Sequence, residues 1–420
     1  MCGCILPKAI SESTNQRNGV QLAASQASSS ANQRINVGAV PLCPPVRWLG
    51  GIRLFVYSSI RPTEALDMAK GQTYSSEAKA LKDKKTGAAI RQMTDHPAVS
   101  HNLYFSNPSW MPDGKTIVFT SYRSGHPNLF KMDENSGEMT QLTDMEGFGG
   151  FSACPAKDGH RIFYNTGGQV RAVDIETLEE SILSDFGESR VGGCSLSADG
   201  ERLVTSLHHN GHSAVVAVNT DGSGHRIVRE PPRAVGHVQV CPTDPNLILY
   251  SSDINQRMWE VRIDGSDERP LFKHDKTVWI THETFLGHTD EVIFVHWPYA
   301  LRGIRVGEDK DRKIAEFNTW HPSPSPDGSR IVCDTTCPDI GLQLIDPETG
   351  EHKTLCYPRS SNGGTQWAET VPADDDKVQA DTYGPQWSHP HPSFSPDGKR
   401  VIYTSDQTGS SQIYVVEVPD

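Results

Sequence analysis

The sequence predicts an all-β protein, a seven-bladed β-propeller closed by an N-terminal strand in the last blade. Three observations predict it. A unit of roughly 40 residues recurs seven times, the period of a propeller blade. An Asp-Gly pair or its equivalent punctuates each unit with a tight turn. The 36 Gly and 28 Pro of the 420 residues separate short Val-, Ile-, Tyr- and Phe-rich runs, a pattern of many strands rather than helices.

Along the chain, residues 1–67 are rich in Ser, Asn, Gln and Ala without hydrophobic periodicity, so they are expected to be a disordered extension or a mis-called start. They lack the ordered charged, apolar and small-residue regions of a secretory signal, and the apolar stretch Trp48 to Ile60 is interrupted by Gly and Arg. Met68-Ala69-Lys70-Gly71 reads as a more ordinary start, and the propeller is expected over 68–420. The strand-like segment Ala88 to Asp95 lies ahead of the first turn with nothing before it to pair with. The last unit has three recognisable strands and ends at Pro419, so packing this segment onto it closes the ring and protects two edges.

The seven turns follow at Asp113-Gly114, Asp158-Gly159, Asp199-Gly200, Thr243-Asp244, His288-Thr289, Asp327-Gly328 and Asp397-Gly398. The runs after them, such as Thr116-Ile117-Val118-Phe119 and Arg400-Val401-Ile402-Tyr403, are good strand sequences. Asp327 and Asp397 are 70 residues apart, and the excess, about Tyr357 to Gln386, is a Gly/Ser/Asp-rich insertion expected to overhang the ring as a lid or rim loop.

The formal charge of -13 argues against a nucleic-acid binder, because phosphate backbones are held by clustered Lys and Arg. Nine irregularly spaced cysteines suggest free thiols in a reducing compartment. Cys333 and Cys337 lack the second pair that a structural zinc site needs.

When the units are overlaid, His237, His282, His321 and His391 occupy one position, six residues before the turn. In a propeller the strand leading into the first hairpin lines the channel, so these four should form an arc at one mouth. His389 and Gln386 stand just upstream of the last. Three imidazoles and an amide oxygen suit a divalent transition ion, and the oxygen ligand favours Mn²⁺ among Mn²⁺, Zn²⁺, Co²⁺ and Ni²⁺. The alternative is that His-Pro simply opens a strand well and its imidazoles bond nearby carbonyls. His237, on the same arc, is a candidate substrate contact. Arg257 follows the hairpin of the fourth blade, where an outward-facing salt bridge is equally open to it. His208, His209 and His212 have no repeated register and are expected at the surface.

The stretches Thr94-Asp95-His96-Pro97, His101-Asn102-Leu103-Tyr104-Phe105, Thr281-His282-Glu283, Trp320-His321-Pro322-Ser323-Pro324-Ser325-Pro326-Asp327-Gly328 and Gln386-Trp387-Ser388-His389-Pro390-His391-Pro392-Ser393-Phe394 resemble the oligogalacturonate lyases. These are seven-bladed, pectin-degrading propeller enzymes, and the resemblance covers about residues 75 to 420. It implies Mn²⁺ held by His321, His389, His391 and Gln386, with His282 and Arg257 serving a β-elimination on short uronic-acid oligosaccharides in the cytoplasm. The implied base is His282 and the implied carboxylate-holding group Arg257, with the two roles exchangeable. The fourth blade departs from the family: Tyr250-Ser251-Ser252-Asp253-Ile254 replaces a longer loop opening with His-Glu, so substrate contacts there are expected to differ.

The competing reading is a non-catalytic, TolB-like propeller acting as a protein-interaction scaffold, which needs no converging histidines. A peptidase reading fails on the missing Gly-x-Ser-x-Gly elbow.

Overall fold

The computed structural model describes residues 70–336, 338–362 and 388–419. Among them are seven antiparallel sheets of four or five strands and no helix. Each sheet corresponds to one sequence unit, with its innermost strand leading into the punctuating turn.

Side chains alternate along the strands, so each sheet offers one apolar face to the blade before it and one to the blade after it. In the sixth blade Ile331, Cys333 and Ile345 pack on Ile293 and Val295 of the fifth. Val332 and Leu344 of the same strands pack on Phe394 and Tyr403 of the seventh. Seven such clusters each join two neighbouring blades. The closing one sets Trp110, Phe119 and Phe130 of the first blade against Ile402, Ile413 and Val415 of the last. Across that seam Glu134 Oε2 accepts from Trp110 Nε1 at 2.8 Å and from Arg400 Nη1 at 2.5 Å.

Ala89–Gln92 pairs with Gln412–Glu417 in the last blade, Ile90 lying opposite Val416, as the sequence led us to expect. The expectation that nothing precedes this strand to pair with it is corrected. Lys79–Lys82 forms a fifth, outermost strand beside it, and Thr73–Tyr74 adds a fifth strand to the first blade. Lys79–Lys82 is exposed along its whole length, so it has the charged composition of a protected edge and no apolar period to reveal it.

The turns explain their own sequence. Asp327 Oδ1 accepts from Ser329 N at 3.0 Å and from Ser325 Oγ at 2.6 Å, while Ser325 Oγ accepts from Arg330 N at 3.0 Å. Gly328 then takes the left-handed φ of +73° that a side chain would resist. The fourth and fifth units lack this Gly. Asp244 accepts from Asn246 N at 2.9 Å and Thr289 from Glu291 N at 3.1 Å in the corresponding turns.

Of the insertion read at Tyr357 to Gln386, residues 363–386 lie outside the described residues, Gln386 among them. The same holds for residues 1–67 and for Cys337.

Candidate functional site

Three of the four register histidines sit in left-handed backbone: His237 at φ 42°, His282 at 50° and His391 at 43°. In the fourth blade the strand pairing slips between Gly236 and Gln239, and in the fifth between Thr281 and Thr284, so His237 and His282 each occupy a bulge. A bulge bends the strand and re-aims one side chain, and non-glycine residues are held at positive φ only where surrounding packing imposes it. The inner strands therefore direct these imidazoles toward one another.

Ring centroids of His237 and His282 are 6.3 Å apart, those of His282 and His321 4.3 Å, and those of His321 and His391 4.0 Å. His389 joins the end of the arc, 5.5 Å from His321 and 6.0 Å from His391. His101 of the first blade, absent from the repeat register, is also buried here, its ring tilted against Phe151 at 4.3 Å and its Nδ1 2.9 Å from Asn102 O.

A buried carboxylate that the repeat pattern did not reveal organises the cluster. Asp334 is 1% exposed and accepts from the backbone N of His321 at 2.7 Å, while its Oδ2 lies 2.8 Å from His321 Nδ1. This contact fixes the imidazole as the tautomer protonated at Nδ1 and turns Nε2 into the ligand-competent nitrogen. Burial drives the Asp334 carboxyl up to about 6, against the opposing pull of His389 and the backbone N–H groups of His321 and His391.

The residues present fit a divalent cation. Single donor atoms from His321, Asp334 and His389 all lie within 4.8 Å of one another. Both ring nitrogens of His389 and Nε2 of His391 are buried without a hydrogen-bond partner among the described residues. Leaving such a group unsatisfied costs roughly 1–3 kcal/mol. A cation accepting the imidazole lone pairs removes that cost, and imidazole suits transition ions.

Beside the histidines, Arg257 faces inward, which decides against the outward salt bridge. Its Nε lies 3.2 Å from Oε2 of Glu283, a fully buried carboxylate whose Oε1 is 3.6 Å from His237 Nδ1. Burial alone raises the Glu283 carboxyl, but Arg257 and His237 overcome it and hold the group below its ordinary value. Tyr104 Oη is 3.3 Å from His237 Nε2. Tyr104, His237 and Glu283 line a cavity of about 290 Å³ together with Phe151 and His391. His282 lies one layer deeper, 4% exposed, edge-on to Trp320 at 4.4 Å. Burial first, then the neighbouring His321, His237 and Arg257, keep its imidazole neutral well below the usual pH. Of the other histidines, His209 and His212 are exposed, and His208 is partly buried against Ser206 and Ser213.

Burial also depresses His101, to about 4. The unfolded chain then takes up a proton near pH 6.5 that the folded chain refuses. Stability from this group is complete above that pH and lost as the pH falls toward about 4, by about 3 kcal/mol. Urea unfolding of metal-free protein at pH 7 and pH 4.5 is expected to show the loss, and His101→Gln to reduce it.

A family described as the TolB beta propeller domain matches residues 83–240, and one described as oligogalacturonate lyase matches residues 201–420. An oligogalacturonide lyase of Pectobacterium atrosepticum is 25% identical over 398 residues, covering 84% of this chain and 99% of its own. An oligogalacturonate lyase of Dickeya dadantii is 23% identical over 404 residues, with the same coverage. A solved oligogalacturonate lyase in complex with manganese superposes with a TM-score of 0.74 at 22% identity, again over 84% of this chain and 99% of that one, and so shares the fold. The family match spans more than half of the sequence and takes in every candidate site residue from His237 to His391: this chain belongs to the oligogalacturonate lyase family.

Proposed function

We propose that the protein is a metal-dependent oligogalacturonate lyase that cleaves short uronic-acid oligosaccharides by β-elimination. The observation that carries this reading is the buried meeting of His321, His389 and His391 beside the Arg257–Glu283 pair, with nitrogens of His389 and His391 that have no hydrogen-bond partner among the described residues. His321, His389 and His391 would hold Mn²⁺ or a similar ion, with Gln386 as the oxygen ligand that the family resemblance implies.

When bound, such an ion supplies a Lewis acid that neutralises a uronate carboxylate and so acidifies the adjacent C5 proton. The chain's own groups do the rest. Glu283 holds the Arg257 guanidinium in place, and Arg257 in turn meets the substrate carboxylate and stabilises the charge that develops on it. His282, kept neutral by burial, takes the C5 proton on an unprotonated ring nitrogen. The electron pair left at C5 forms the C4–C5 double bond and the C4 oxygen departs, taking up a proton from water, to give an unsaturated ketouronate. His237, which faces the cavity, contacts the sugar. A bound metal ion together with Arg257 would supply the positive charge that reconciles an anionic sugar with an acidic protein.

The test is the ultraviolet absorbance of the unsaturated product during incubation with digalacturonate and Mn²⁺. A rise abolished by chelator is the expected result, and on the reading of residues 1–67 as an extension the chain begun at Met68 is expected to give the same rate. No rise from protein shown to bind metal would move the substrate elsewhere. No rise and no bound metal would favour the TolB-like scaffold, which the match over residues 83–240 keeps as the second reading. Among the described residues five buried free cysteines, Cys154, Cys194, Cys241, Cys333 and Cys356, support a cytoplasmic location.

A further inference from the structure

The two ends of Arg257 are held by one stretch of chain. Its guanidinium meets Glu283 in the inner strand Ile280–Phe285, and its backbone N–H donates at 2.9 Å to Nε2 of His274, in the segment that leads into that strand. The N–H lies just outside the ladder of the fourth blade, which ends in the pair of Ser251 with Met258. On the other side the outermost strand Arg269–Pro270 has already stopped, and Leu271 N donates to Met258 O at 3.0 Å. The imidazole takes over from the backbone at that point. His274 is itself fixed. Accepting at Nε2 leaves the ring proton on Nδ1, which donates to Asp275 O at 3.1 Å. The ring stacks on Phe272 at 5.9 Å, and Phe272 packs on Phe294 of the fifth blade at 5.3 Å. Gln256 closes the clamp: its amide N donates to Phe272 O at 2.6 Å, and its Oε1 accepts from His274 N at 3.3 Å.

We propose that His274 is a positioning residue, which sets the place of the Arg257 guanidinium by holding its backbone. The proposal rests on the lyase reading above, in which Arg257 meets the substrate carboxylate. A long side chain reaches a fixed point only if its root is fixed, and a displacement of about 1 Å at a reacting group can cost about 10²-fold in rate. His282 and Glu283 stand on the strand that follows His274, so the clamp joins the guanidinium of the fourth blade to the base of the fifth. Glu283 fixes the charged end, and His274 fixes the end at which the side chain begins.

The experiment measures kcat and KM on digalacturonate for the Mn²⁺-loaded wild type and two variants, with melting curves to show that each is folded. His274→Phe keeps a ring and removes the acceptor, and His274→Gln keeps an acceptor. His274→Ala replaces the phenylalanine variant if that one misfolds. His274→Phe is expected to lower kcat about tenfold, with KM changed less than about threefold and Mn²⁺ affinity unchanged, and His274→Gln to recover most of the loss. Hydrogen exchange of the Arg257 amide is expected to quicken at least about tenfold in His274→Phe and to stay near the wild-type rate in His274→Gln. Full activity in His274→Phe, an equal fall in both variants, or unchanged exchange overturns the proposal. If the wild type turns over no sugar, the lyase reading is what fails. Exchange of the Arg257 amide then decides the clamp alone: faster exchange in His274→Phe supports it, and unchanged exchange overturns it.

Discussion

Replacing His282 with alanine is expected to lower kcat on digalacturonate by about 10²–10⁴-fold, the usual contribution of a positioned general base, while leaving the affinity for Mn²⁺ unchanged. The geometry separates these two functions. His282 packs against His321 without standing in the His321–Asp334–His389 group. Its burial keeps the imidazole unprotonated, so the base is ready at neutral pH. His237→Ala makes the contrast. His237 lines the cavity and bonds Tyr104, so its loss is expected to raise KM more than it lowers kcat. His282→Gln, which refills most of the volume between Trp320 and His321, guards against a collapse of packing. A full loss in His237→Ala with near-normal turnover in His282→Ala would exchange the two roles.

The second large effect concerns Asp334→Asn, which is expected to weaken Mn²⁺ binding by about 10–100-fold, the typical cost of losing a partner behind a metal-ligating histidine. The carboxylate holds His321 by its backbone N and its Nδ1 at once. Asparagine keeps one acceptor but removes the charge that favours the protonated Nδ1 and the cation beyond it. Activity should return at high Mn²⁺ concentration, because the ligands themselves remain. Unfolding of the metal-free protein should change little, since a buried carboxylate already costs desolvation. Unchanged metal titrations in Asp334→Asn would reduce Asp334 to a structural role.

How much of this was written in the chain can be read residue by residue. The arc of His237, His282, His321 and His391 was legible because a propeller replicates one register position around one axis, so equal sequence offset becomes equal place. Ala89–Gln92 was legible as the closing strand because the last unit shows only three strands of its own and needs another to complete its blade. His101 was not legible, since it reaches the axis from a different offset. Lys79–Lys82 was hidden because an edge strand carries charge rather than period.

Asp334 left a faint trace. It stands seven residues after its turn, where other units place Thr120, Asn165, Ser206 and Thr404, so a lone carboxylate among neutral polar residues marks it. Glu283 adjoined a chosen histidine, yet nothing in the chain said that it would meet Arg257, 26 residues earlier, rather than solvent.

The sequence by itself determined the number of blades, their turns, the closing strand and the set of histidines, because each depends on local propensity or on a repeated offset. Only the tertiary structure decided which nitrogens are left without partners, which imidazole is pinned by a carboxylate and which one faces the cavity. Those properties depend on burial and on distances between blades, and no spacing along the chain encodes how deep a side chain will lie.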